Sequence, residues 1–497
     1  LSRRQLLKLA GISAGAATLA ACGAAPAATA PAANTPASGG AAAAPTTAPA
    51  ATTAASAAAP TAPPAPTITP VPMVPQPEGS VKLTFWYGLG GNLGNVVRQT
   101  VNKFNLSQKK YYVEAVFQAS YDDTINKINT ALAGGELPNV AQVFDAGTQR
   151  MIDSKRVIAV QDLLEKDGNA KAFMDDLEPA VRSYYTVSGK MYSMPFNSST
   201  AMTYFNKKMV ADAGLDANKT IWTYEEMLDA AKKMTRKDGD KITVAGLAFN
   251  PASWFFEQQM AVHKQLMGEP ENGRKERATK YAFNNETGQK WLEFLKSTLD
   301  AGVGVNYASA SPQAAFVSGQ AAFHFDSIAS LRGIASSAEK NGIDVGVAYM
   351  PRRSGAEVGR TIIGGASLWL PDTGTPEQQA GAWAFLKFAT QTDTQGWWSA
   401  NTGYYPVTRS SYETADMKEA LKKYPQFSVA IDQIRSAPED VFNSGVMSGT
   451  FVPMRQEVQK AMDAFWNGSA ATASEALEKA VNKSNEQLEE YNATVRS

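Results

Sequence analysis

VKLTFWYGLGGNLGNVVRQTVNKF, residues 81–104, decides the kind of fold this chain adopts. Val81, Leu83 and Phe85 alternate with Lys82 and Thr84, which is the period of a strand with one face on a core. A glycine-rich turn from Gly88 to Gly94 follows. Leu93, Val97, Val101 and Phe104 then recur at helical spacing. Further on, Val113, Ala115 and Phe117 alternate again, Tyr121, Ile125, Ile128 and Leu132 form a second helical stripe, and Val140–Phe144 is a short apolar run. The succession β-α-β-α-β predicts an α/β sheet. Ligands of open α/β sheets lie at the carboxyl ends of the strands, where Trp86, Tyr87 and Asp145 fall.

Upstream of this unit the sequence changes character. Ser2-Arg3-Arg4-Gln5-Leu6-Leu7-Lys8 resembles the twin-arginine export motif, and the apolar run Gly11–Ala20 is too short to span a bilayer as a mature helix. Leu19-Ala20-Ala21-Cys22 resembles a lipobox, so residues 1–22 are expected to be a lipoprotein signal peptide, with Cys22 diacylated and the protein held on the outer face of the cell membrane. Leu1 in place of Met is expected of a truncated or alternatively started gene model. From Gly23 to Pro77 the chain is almost entirely Ala, Pro, Thr, Ser and Gly with no charged residue. Residues 23–79 are therefore expected to be a disordered tether, reaching on the order of 100 Å where it is polyproline-like.

Downstream, Trp222, Tyr224, Trp254, Phe255 and Phe256 enrich the middle of the chain in aromatics. Val458, Ala461, Met462 and Phe465 form a helical stripe that Pro453 opens and Gly468 closes. Thr472 and Glu475 predict a capping box for a last helix.

Composition excludes several functions. Forty-seven basic residues balance 47 acidic ones with no basic stripe, which argues against nucleic acid. Cys22 is the only cysteine, leaving no thiols for disulfides or zinc. The two histidines, His263 and His324, stand in no metal-ligand spacing, and both are expected to be structural. No cofactor is expected. Gly88 and Gly90 half-match a dinucleotide fingerprint, but Leu93 occupies the place of its third small residue. An exported NAD-type oxidoreductase and a carboxylate hydrolase are the enzymatic alternatives.

Five blocks carry a family resemblance over the whole globular part. They are Phe85-Trp86-Tyr87 with its glycine turn, Gln142–Thr148, Pro195-Phe196-Asn197-Ser198-Ser199-Thr200, Ile363-Gly364-Gly365-Ala366-Ser367-Leu368-Trp369 and Thr402–Thr408. Together they resemble the family 1 extracellular solute-binding proteins of ABC importers, in the glycerophosphate-binding branch. The resemblance implies a two-lobed periplasmic-binding-protein fold, one lobe from 80–196 and 367–415, the other from 197–366 and 416–497, joined by a hinge with the ligand between them. It implies a non-enzymatic monomer that passes a small molecule to ABC permease subunits.

It also implies ligand contacts at Tyr121, Asp145, Ser199, Ser327, Gly365, Tyr404 and Arg455. Arg455, expected in the first turn of the helix that Pro453 opens, would hold a phosphate. Asp145, an acceptor-only carboxylate where family members have glutamate, would face the glycerol end and leave room for a bulkier head group. Trp254, with Tyr224 or Trp86, would supply an apolar wall or a cation–π face for choline. The ligand expected is sn-glycerol-3-phosphate or a related glycerophosphodiester. A neutral sugar or oligosaccharide on the same fold is the alternative, and a sensor subunit is a third.

Overall fold

The structure is a computed structural model that describes residues 68–307 and 311–496. The export motif, Cys22 and the tether up to residue 67 lie outside the described residues.

The opening pattern folds as its periodicity requires. Strand β1 (Val81–Tyr87) leads into helix α1 (Gly91–Ser107), β2 (Tyr111–Phe117), α2 (Tyr121–Leu132) and β3 (Val140–Phe144). Leu83, Phe85 and Tyr87 point into the core together with Val97, Val101 and Phe104 of α1. Phe117 departs from the pattern: it ends β2 on the exposed side, with 47% of its surface free. The chain continues through α3 (Thr148–Asp153), β4 (Val157–Ile158), α4 (Pro179–Tyr185) and β5 (Met194–Ser199).

A second unit follows: β6 (Ala201–Asn206), β7 (Lys241–Phe249), α5 (Ser253–Val262), β8 (Gly304–Asn306), β9 (Ala321–Ser327), α6 (Leu331–Lys340) and β10 (Val345–Tyr349). Strand β11 (Gly364–Pro371) returns to the first unit, and the chain ends in α7 (Phe451–Trp466) and α8 (Ala473–Arg496).

Two mixed sheets result. The first runs β2-β1-β3-β11-β4, with β5 also paired to β11, and the second runs β8-β7-β9-β6-β10. In the first, β1 is parallel to both β2 and β3, while β11 is antiparallel to β3, β4 and β5. This is the two-lobed α/β arrangement of periplasmic binding proteins.

Two expected boundaries need correction. The lobe division at 196/197 and 366/367 is displaced, because Ser199 pairs with Gly364 and Ser198 with Gly365 inside the first sheet. The chain passes between sheets at Thr200, whose carbonyl oxygen accepts the Ile328 N–H at 2.9 Å. The end of the expected tether is also not loose: residues 68–77 lie along α1, where Val71 N–H donates to Asn95 Oδ1 at 2.8 Å and Val74 N–H to Asn102 Oδ1 at 3.0 Å.

Candidate ligand site

The carboxyl end of β3 and the hinge between β5 and β6 meet at one place. Tyr121, the first residue of α2, stacks on Phe144 with ring centroids 5.6 Å apart. Its hydroxyl accepts from Asn197 Nδ2 at 2.9 Å and lies 3.3 Å from the Tyr404 hydroxyl. Asn197 is itself fixed, since its Oδ1 accepts from Gln142 Nε2 at 2.9 Å and Gln142 Oε1 accepts the Gly88 N–H at 3.1 Å. This chain of amides orients Tyr121 from β1, β3 and β5 together. Burial, reinforced by Tyr404, pushes the Tyr121 phenol well above its usual range, and burial raises Tyr404 too. Both remain neutral hydroxyls at ordinary pH.

Ser199, buried at the end of β5, sits opposite Gly364 in the ladder, beside Gly365. Gly365 adopts φ +101°, and a Cβ there would collide with the Asn197 carbonyl oxygen, so only glycine fits. Trp254 of α5 lies against Gly364, and its Nε1 is buried without a hydrogen-bond partner among the described residues. Ser327 ends β9 and caps the turn before α6, its Oγ accepting the Ala329 N–H at 3.1 Å. The Tyr404 loop approaches that turn, because a Cβ on Gly403 would strike the Ile328 carbonyl oxygen. Tyr121, Ser199, Gly365, Tyr404 and Ser327 thus fall on neighbouring strand ends and loops at the junction of the sheets.

Arg455 differs most from expectation. Helix α7 starts at Phe451, so Arg455 stands in its second turn, not its first. Its guanidinium is already committed. Nη2 donates to Asp145 Oδ2 at 2.6 Å and to Glu257 Oε2 at 2.8 Å, while Nε donates to Glu257 Oε1 at 2.6 Å. The Phe451 ring lies 4.5 Å below it. All three charged side chains are largely buried, at 14%, 6% and 1% exposure for Arg455, Asp145 and Glu257. Burial alone would lower the Arg455 pKa, but Asp145 and Glu257 reverse this and raise it well above the usual value. Arg455 is therefore a paired and not a free cation in this structure, and Asp145 faces it.

Glu257 escaped the sequence reading. It lies inside Trp254–Gln259, where α5 is buried from Phe255 to Val262 and no amphipathic period marks one side chain as special. Its only signal is a lone acid in an aromatic run. The other expected aromatics belong elsewhere. Tyr224 is a core residue, stacked on Phe294 at 4.7 Å and bonded to Gln259 Oε1 at 2.7 Å. Trp86 lies under Lys127 of α2, with Nζ 4.4 Å from its ring centroid. His324 sits in β9 beside Tyr204 and Phe316, within 3.2 Å of Asp326.

Comparison with known proteins agrees with this fold. The family model of the bacterial extracellular solute-binding proteins matches residues 99–428. The sn-glycerol-3-phosphate-binding periplasmic protein of Yersinia enterocolitica is 29% identical over 419 residues, covering 83% of this chain and 93% of that one. The protein of the same name from an Escherichia coli strain is 27% identical over 422 residues, 84% of this chain and 94% of its own. Among solved structures, a Mycobacterium tuberculosis protein crystallised with glycerophosphocholine superposes with a TM-score of 0.68 at 20% identity, over 84% of this chain and all of that one. The acarbose-binding GacH receptor of Streptomyces glaucescens gives the same TM-score at 18% identity, over 82% and 98%. The chain belongs to the bacterial extracellular solute-binding proteins, the ligand-capturing components of ABC importers.

Proposed function

We propose that this protein captures sn-glycerol-3-phosphate or a glycerophosphodiester and hands it to its permease, held to the outer face of the membrane by lipid on Cys22 after twin-arginine export, and acting as a monomer. The observation that carries the reading is the division of the site into two chemistries. On one side, two carboxylates share a single guanidinium, leaving a net negative, acceptor-rich group suited to hydroxyls. On the other, Tyr121, Tyr404, Ser199 and Ser327 supply neutral hydroxyl donors, and Ser327 leads into α6, where the helix dipole favours an anion. A ligand with hydroxyls at one end and a phosphate at the other matches that division. Similarity to glycerol-3-phosphate-binding proteins over most of both chains supports the same ligand class.

In this reading Arg455 contacts the polyol through its ordered carboxylate cluster, and the phosphate is read by neutral donors. Trp254, whose Nε1 lacks a partner among the described residues, walls the site. The neutral sugar remains a second reading, favoured by one observation: the cation that would mark an anion site is already neutralised.

A thermal-shift panel separates the two. Glycerol-3-phosphate or glycerophosphocholine at a hundred times its Kd should stabilise the protein by about 2.7 kcal/mol. Maltose and glycerol should leave the midpoint unchanged. A shift with maltose alone would assign the site to sugars.

A further inference from the structure

One half-buried face of α1 carries Asn95, Arg98 and Asn102, and none of them is among the site residues described above. Each instead reads the backbone of residues 68–77. Asn95 accepts the Val71 N–H at 2.8 Å and donates to the Thr69 carbonyl at 3.1 Å. Asn102 repeats the pattern one step along, accepting the Val74 N–H at 3.0 Å and donating to the Pro72 carbonyl at 2.9 Å. Between them Arg98 Nε donates to the Val71 carbonyl, and from β2 the Tyr112 hydroxyl donates to that of Val74 at 3.1 Å.

The two periods match. Seven residues of α-helix rise about 10.5 Å, and three residues of polyproline-type strand rise about 9.3 Å. Asn95 and Asn102 are therefore spaced to meet Val71 and Val74. The strand side shows the same register, since Ile68, Val71, Val74 and Pro77 recur half-buried at every third position, with Met73 half-buried beside Val74. Pro70, Pro72, Pro75 and Gln76 face solvent, and the prolines hold the strand extended without losing a bonded N–H.

We propose that α1 is a clamp for an extended, proline-rich strand, and that residues 68–77 are its resident ligand. The strand runs parallel to α1, with Ile68 beside Gly91 at the helix start. Ile68 thus lies at the carboxyl-end edge of β1, the edge of the first sheet that bears the proposed ligand site. The clamp does not rest on the anchor or on the ligand.

Amide exchange followed by NMR on the purified protein tests it. Val71 and Val74 amides should exchange at least about tenfold more slowly than those of Thr69 and Met73, which have no hydrogen bond among the described residues. Asn95→Ala with Asn102→Ala should erase that difference while β1 amides keep their protection. Val71→Pro with Val74→Pro, which removes the two donors and leaves the sequence of α1 untouched, should abolish the NOEs from Ile68 and Met73 to α1. Equal exchange at all four amides in the wild type, or protection surviving the double asparagine variant, would overturn the clamp.

Discussion

Replacing Glu257 with Gln removes one of the two carboxylates around Arg455 while keeping an oxygen for its Nε. The pH dependence of stability should change in a defined direction. Burial raises the Glu257 pKa above its ordinary 4.5, Arg455 opposes this and Asp145 adds to it. Because the folded-state value is the higher one, the contribution is full below about pH 4.5 and is lost as pH rises through the folded value. The midpoint of the wild type minus that of Glu257→Gln, measured by calorimetry from pH 4 to pH 7, should therefore decline with pH. A rising or flat difference would show that Glu257 is not held as described. Arg455→Ala leaves two buried carboxylates facing each other and should cost about 3–5 kcal/mol of stability by denaturant titration. Its lost ligand affinity must be judged against that, whereas Tyr404→Phe deletes one hydroxyl and should weaken binding about tenfold with little effect on folding. Family resemblance could name Arg455 and Asp145 as site residues. It could not give their pairing, because that depends on where α5 delivers Glu257.

At the scale of elements, the five opening segments were legible because each has one buried face, so period 2 and helical spacing follow from the demand to bury Leu83, Phe85, Val97, Val101, Val113, Ile125 and Ile128. Helix α7 was legible in its stripe and not in its start. Pro453 suits a first turn, yet Phe451 and Val452 precede it in the helix, and Phe451 is held by burial beneath Arg455. Thr472 does accept the Glu475 N–H at 3.0 Å, while the Glu475 carboxylate returns to the Ala471 N–H at 2.9 Å, one residue earlier than a closed capping box requires. The docked strand at 68–77 was hidden for a different reason. Ile68, Val71, Val74 and Pro77 recur every third position, a period that tests for helices and strands do not look for, and Met73 interrupts it. Ser327 links β9 to α6, and Ser327→Ala should cost about 1 kcal/mol of stability through the lost cap, in addition to any weakening of ligand binding.

For the whole molecule, the two units are tied together away from the ligand site. Asp153 of α3 takes Arg277 through both oxygens, at 2.5 and 2.9 Å, and the Tyr491 hydroxyl of α8 at 2.7 Å. Glu178 takes Arg435 at 2.9 Å. Between α2 and α3 on one side and α7 and α8 on the other lies a groove of about 980 Å³, lined in part by Arg150, Gln456 and Tyr491. A hinge closing on ligand must change that groove, since it is walled by both units. Asp153→Ala should lower stability by about 2–3 kcal/mol and enlarge the radius of gyration of the unliganded protein in small-angle scattering. The two-lobed plan was legible through resemblance, but the sheet order and the crossing at Thr200 were not, because pairings such as Ser199 with Gly364 join residues too far apart for local pattern to report.

Calorimetric titration of the purified protein with sn-glycerol-3-phosphate and glycerophosphocholine, beside a Ser199→Ala, Ser327→Ala variant, tests the central claim most directly. The account predicts saturable binding near micromolar for at least one of them, about 8 kcal/mol, weakened a hundredfold or so by loss of the two hydroxyls. No heat with either phosphate ligand, together with binding of a neutral oligosaccharide, would contradict it.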